Sequence, residues 1–290
     1  MSKPLLQYYL VAFIDLLGQR NQMEGLLLMP GKSDISARED LSARMTRLMT
    51  SVALVQNNIY EHTTSANSHH LEKIEGVDEG TQARVQQYRV EELHFQPFSD
   101  GIVLFSPLAS TRHYALSSIC SIMVACSSTM LLSLSKGFPL RAGIAIGSGC
   151  TLNGNDIYGP VVAEAYRLES KVAEYPRVVL HDKFLNWLAS FEHKTHSSEQ
   201  DRRVAVAMVK KCTDMVMFDE DGVPTLDFLN PTSLALLGGF DANKQLITST
   251  RNLVSEMISK FSVENNQKLL NRYKQLDRYI DSRFPNQPSG

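Results

Sequence analysis

An α+β fold is predicted, built on one antiparallel-rich sheet with helices on one face. Three observations predict it. Apolar, strand-like runs cover 8–14, 90–105 and 140–146, with helix-length stretches between them. The middle run breaks at Ser99-Asp100-Gly101, and Asp-Gly between apolar runs signals a hairpin. The order strand, helix, hairpin, helix, strand, helix, strand then excludes an alternating parallel sheet, because hairpin-linked strands run antiparallel.

Each element has its own warrant. Tyr8 to Ile14 is apolar and partly β-branched, is ended by Asp15 and Gly18, and reads as a buried central strand. Ser33 to Tyr60 reads as a helix, with Ser36 as cap, Glu39 completing a capping box, and apolar residues recurring from Leu41 to Val55. His62 to Gly80 is polar and aperiodic, which predicts an exposed loop; His69 and His70 lie in it without a metal-spaced partner. Val90 to Phe98 and Ile102 to Phe105 form the hairpin. Thr111 to Lys136 is a helix closed by Gly137. Its serines mark it as a buried helix rather than a membrane span. Leu140 to Ile146 is a strand, Ser148 to Asn155 a Gly/Asn-rich turn, Pro160 to Ala173 a helix opened by proline, and Arg177 to Leu180 a strand. Later come a helix from Asp182, a hairpin around residues 219–222, and one or two helices over 242–283. Residues 1–182 are expected to form the functional core, and 183–290 a hairpin and helical extension packed on it.

Composition sets outer bounds. Hydrophobic residues make up 43% and charged residues 21% of the 290, which excludes a disordered or collagen-like chain. The net charge of −2 gives no electrostatic reason to bind nucleic acid or a membrane surface. Four irregularly spaced cysteines (Cys120, Cys126, Cys150, Cys212) match neither a disulfide framework nor zinc pairs. They predict reduced core residues of a cytoplasmic protein.

Two aspartates stand out. Asp15 ends an apolar strand, and Asp100 sits at a hairpin tip flanked by Phe98 and Ile102. A carboxylate so placed loses hydration unless it is paired. Two carboxylates on neighbouring strands can hold divalent cations against a triphosphate. Gly18 follows in a turn whose N–H groups suit phosphate, so Gly18, Gln19 and Arg20 are candidate phosphate contacts. Taken singly, a turn-capping Asp15, a turn Asp100 and a surface Arg20 are the plainer readings.

These features, followed by Arg141-Ala-Gly-Ile-Ala-Ile-Gly147 and then Asp156, Gly159 and Arg167, resemble the class III nucleotide cyclase catalytic domain over residues 8 to 182. Phe-Ile-Asp-Leu-Leu-Gly, Phe-Ser-Asp-Gly-Ile-Val-Leu-Phe and Gly-Pro-Val-Val-Ala-Glu-Ala-Tyr-Arg-Leu-Glu-Ser narrow the resemblance to the Pycsar pyrimidine cyclases of bacterial anti-phage defence. The resemblance implies a ferredoxin-like sheet. It implies two Mn²⁺ or Mg²⁺ ions held by Asp15 and Asp100, with the Leu16 carbonyl as a further ligand. It also implies a head-to-tail homodimer, in which Asp156, Arg167 and Gln96 reach the site from the second subunit. Arg167 would stabilise charge on the phosphoryl group; its plainer reading is a surface arginine beside Glu164.

Two departures bear on the base. Gln96 stands where adenylate cyclases carry a lysine, and Ala163 where they carry an asparagine. The implied activity is conversion of UTP to 3′,5′-cyclic UMP and pyrophosphate, the product acting on a separate cyclic-nucleotide-binding effector. The alternatives are a CTP cyclase making cyclic CMP, and a non-catalytic nucleotide-binding module of the same fold. The Gly-Gly-Asp/Glu-Glu-Phe signature of diguanylate cyclases is missing at Phe98-Ser99-Asp100-Gly101.

Overall fold

A computed structural model describes residues 6–19, 23, 24, 26, 28–64, 74–108, 115–152, 156–193 and 198–285. The fold is α+β, with one mostly antiparallel sheet. Its strands are β1 (Gln7–Leu16), β2 (His94–Phe98), β3 (Gly101–Pro107), β4 (Leu140–Leu152), β5 (Asp156–Tyr158), β6 (Val178–Leu180), β7 (Val216–Phe218) and β8 (Pro224–Leu226). They lie in the order β2-β3-β1-β4-β6-β8-β7, with β5 paired to β4 off this path. Among the described strands only β4 and β6 pair in parallel.

The helices are α1 (Ile35–Thr64), α2 (Glu79–Glu92), α3 (Ala115–Ser135), α4 (Pro160–Arg167), α5 (Asp182–Ala189), α6 (Glu199–Asp214), α7 (Pro231–Leu236), α8 (Gly239–Val263) and α9 (Gln267–Arg283). A π-helical turn, Leu168–Val172, continues α4.

β1 is apolar throughout because both its faces are buried. Leu10, Ala12, Ile14 and Leu16 enter the main core with α1, α3, α6, α8 and α9. Tyr9 and Val11 enter a second, smaller core with Val103, Phe105, Ile157, Val161 and Ala165. Each such Leu or Ile, once buried, contributes about 1.5–3 kcal/mol. Helices crowd the first face. Among the described elements, only α4, its π turn and β5 cover the second, and Asp15 shares that face by its odd position in β1.

α3 is the central helix. Among the described residues it alone is long and apolar enough to cross a membrane, and most of it is buried inside the fold. Ser117, Ser118, Ser121, Ser127 and Ser133 are buried with it: Ser121 donates to the Ser117 carbonyl, and Ser117 to the Val85 carbonyl. None of the four cysteines is in a disulfide.

Several boundaries differ from the sequence expectation. α1 begins at Ile35 and is capped by Asp34, whose Oδ1 accepts from Ala37 N at 3.1 Å; Ser36 lies inside the helix, so the Ser36–Glu39 capping box does not form. α1 runs on to Thr64; residues 65–73 of the loop expected over 62–80 lie outside the described residues, and that loop ends where α2 begins, capped by Asp78, which accepts from Thr81 N. That helix runs to Glu92, so the first hairpin strand starts at His94 and not at Val90. β4 continues through the expected Gly/Asn-rich turn to Leu152 and folds back on β5. The hairpin loop is Ser99-Asp100, with Gly101 already paired to Phe98; Ser99 takes the positive φ of 30°. His69 and His70 lie outside the described residues.

Candidate active site

Asp15 is the last odd-numbered position of β1. It pairs with Gly101 on one side and Arg141 on the other. Asp100, in the hairpin loop one residue before Gly101, therefore sits close to it, and its charge acts on Asp15. The ladder register alone brings the two sequence-predicted carboxylates to one end of the sheet.

Two further charged residues complete this cluster. Arg141 Nη2 lies 3.9 Å from Asp15 Oδ2. Arg141 Nε also meets Glu169 Oε1, on the π turn after α4. Glu169 is only 1% exposed and lies within hydrogen-bonding reach of Asp15. Burial, then the neighbouring Glu169 and Asp100 carboxylates, push the Asp15 carboxyl up to about 7, against the opposing pull of Arg141. Burial likewise raises Glu169, again opposed by Arg141.

This electrostatic imbalance bears on metal binding. One guanidinium serves Asp15 and Glu169 while Asp100 adds a third negative charge nearby, and a divalent cation would relieve the surplus. Hard oxygen donors suit Mg²⁺ or Mn²⁺. Among the described residues no group of three or more His, Cys, Asp or Glu side chains is arranged around one point, so the protein ligands would be Asp15, Asp100 and main-chain oxygen. The Leu16 side chain is buried in the main core, leaving only its main chain for such a role.

The residues after β1 divide. Gly18 takes φ 83°, a left-handed turn that favours glycine. Gln19 is buried and donates through Nε2 to Ser51 Oγ of α1 at 2.9 Å, so it braces the turn against that helix. Arg20 lies outside the described residues.

Gln96 and β5 form a second grouping. Gln96 Oε1 accepts from Ile157 N at 3.1 Å, next to Asp156, which opens β5. Arg167 ends α4 half-exposed and makes a bidentate pair with Glu164, at 2.8 and 2.9 Å. Glu164 also faces His181 Nε2 at 3.1 Å. Within one chain, then, Arg167 is engaged on the surface, as its plainer reading has it.

Sequence reasoning assigned no role to Arg141 or Glu169. Arg141 carries a signal: it is a charge at the start of an apolar strand, as Asp15 is at the end of one. Glu169, in Arg-Leu-Glu-Ser, has the spacing of a solvated helix face and gives no such signal. Aromatic rings flank the carboxylates: Phe13 meets Tyr166 at 5.3 Å and Phe98 at 6.1 Å.

No family model matches the chain, and no curated protein matches it. Among solved structures, it is similar to a bacterial light-regulated adenylyl cyclase, with 11% sequence identity and a TM-score of 0.37. The match covers 84% of this chain and 57% of that one. A likeness at that level assigns no role to any residue.

Proposed function

We propose that this chain is a nucleotide cyclase that forms a 3′,5′-cyclic nucleotide and pyrophosphate from a nucleoside triphosphate. The carrying observation is the ladder register that sets Asp15 beside Asp100 in an electron-rich corner shared with Glu169. Asp15 and Asp100 would hold Mg²⁺ or Mn²⁺. Such ions, when bound, lower the pKa of the ribose 3′-hydroxyl and offset charge on the leaving pyrophosphate. Arg141 opposes protonation of Asp15. The Gly18 turn offers main-chain N–H groups to phosphate.

The base is read as uracil. With its oxygen accepting from Ile157 N–H, Gln96 keeps its amide N–H₂ as a donor for a base. A donor matches the 4-oxo group of uracil and opposes the 4-amino group of cytosine. Asp156, an acceptor, completes the pair. In this reading the two residues serve the site of a second subunit. The sparsely covered sheet face, where Phe98 and Tyr166 are 41% and 53% exposed, supports a homodimer.

The test is incubation of the purified chain with Mn²⁺ and each of four labelled NTPs, followed by product identification. Cyclic UMP and pyrophosphate are expected. Release of no pyrophosphate from any NTP would leave only a nucleotide-binding module.

A further inference from the structure

Beside the Leu17–Gly18 turn lies an open cavity of about 590 Å³, a size suited to a small molecule. Three cations from three helices reach it: Arg47 of α1, Lys260 of α8 and Arg272 of α9. Glu174 and Glu256 also line it, so the lining keeps one net positive charge.

Two of the cations lie near rings: Arg47 is 6.0 Å from the centroid of Phe138, and Lys260 Nζ is 5.7 Å from that of Phe261. Arg272 is different. It is partly buried, and no ion pair or hydrogen bond joins it to a described residue. Burial pulls its pKa below the ordinary arginine value; Glu174 opposes this, and Arg141 adds to it. Glu174 offsets only part of the cost of desolvating this guanidinium, and a bound anion relieves the rest. Two planar guanidiniums and an ammonium around one space suit a multiply charged, tetrahedral oxyanion better than a single carboxylate.

We propose that this cavity is an anion site for a polyphosphate, either pyrophosphate or the phosphate chain of a nucleotide. The site does not use the Asp15 or Asp100 carboxylates; it borders the Gly18 turn, so it extends the phosphate contacts of the proposed cyclase reading and rests on that reading there. It gives the C-terminal helices α8 and α9 a binding role, since they supply Lys260 and Arg272.

Isothermal titration of the full chain in EDTA tests the site, with inorganic tripolyphosphate as probe. One saturable site is expected. Arg272→Gln should weaken it at least about ten-fold. Lys260→Gln, at an exposed position that does not endanger folding, should weaken it about three-fold. An Asp15→Asn/Asp100→Asn double variant should bind as wild type, which separates this site from the cyclase reading. Competition by UTP as strong as that by tripolyphosphate identifies a nucleotide's phosphate chain as the ligand; competition by pyrophosphate but not UTP identifies the free anion. Absence of saturable binding, wild-type affinity in both cation variants, or loss of binding in the aspartate variant would overturn the assignment.

Discussion

Asp15 and Arg141 face each other across the β1–β4 ladder, with Oδ2 and Nη2 3.9 Å apart. The same guanidinium also meets Glu169, so one cation serves two carboxylates from two different elements. Arg141→Met would leave Glu169 buried without its counter-charge. A loss of about 3–5 kcal/mol is expected. The double change Arg141→Met/Glu169→Leu should recover most of it. Urea unfolding of the two variants, compared with wild type, measures both.

The metal-ligand reading makes a different demand. Asp15→Asn and Asp100→Asn should each lower cyclisation by roughly 10²-fold or more. Neither should unfold the chain. Asn is nearly isosteric with Asp, and at position 15 burial already holds the carboxyl up to about 7, so a neutral side chain suits the site. Turnover with Mn²⁺ and a circular dichroism spectrum form the check; normal turnover in either variant excludes the two-ion assignment.

Both aspartates were legible in the sequence for one physical reason: each interrupts an apolar run, and strand register then makes them neighbours. Glu169 was not. Its spacing is that of an exposed helix face. It becomes buried because the helix widens into a π turn at Leu168–Val172 and lies against the sheet. α2 was also missed, since its mixture of Gln, Arg and Glu shows no apolar stripe. Its start was marked by Asp78, which caps Thr81 three residues on. The strand order was legible as far as the hairpins; the β7–β8 extension of the sheet depends on tertiary packing that local periodicity does not encode.

Arg167 is paired where it stands. Its bidentate contact with Glu164 lies on an exposed helix turn, 52% exposed on the arginine side, and such pairs contribute about 1 kcal/mol or less. Arg167→Ala should therefore change stability by no more than that. With folding unaffected, kcat in the variant reports directly on chemistry. A drop of ten-fold or more at similar KM is the expected result if a second subunit draws the arginine to the phosphates, and an unchanged kcat assigns it to the surface pair.

Arg177 anchors the distal end of the sheet and sets an acid limit. It is 5% exposed and reaches Asp219 at 2.7 Å, Asp221 at 2.8 Å and the Val172 carbonyl at 2.8 Å. Its hydrogen bonds hold the Asp221 carboxyl below the usual value of 3.8. A carboxyl depressed in the folded state stabilises the fold above the unfolded pKa, and that contribution is lost as pH falls through the folded one. Arg177→Met should cost about 3–5 kcal/mol at neutral pH, and the gap from wild type should narrow below pH about 4. Denaturation curves at pH 7 and pH 3 give both values.

Gly143 sets how closely the Glu169 segment approaches the sheet. It lies on β4 opposite Phe13, on the face covered by α4. A Cβ there would strike the Ala165 carbonyl and come within 2.6 Å of Leu168 Cβ and 2.7 Å of Glu169 N. Two of these are backbone atoms, so no rotamer change relieves the clash; the whole α4–π segment must move outward. Overpacking of this kind costs about 1–3 kcal/mol or more. The displacement would carry Glu169 away from Arg141 and Asp15. Gly143→Ala should therefore lower the melting temperature and, with Asp15 and Asp100 untouched, lower turnover as well. If the protein melts earlier but its residual folded fraction turns over normally, Glu169 positions nothing in the site.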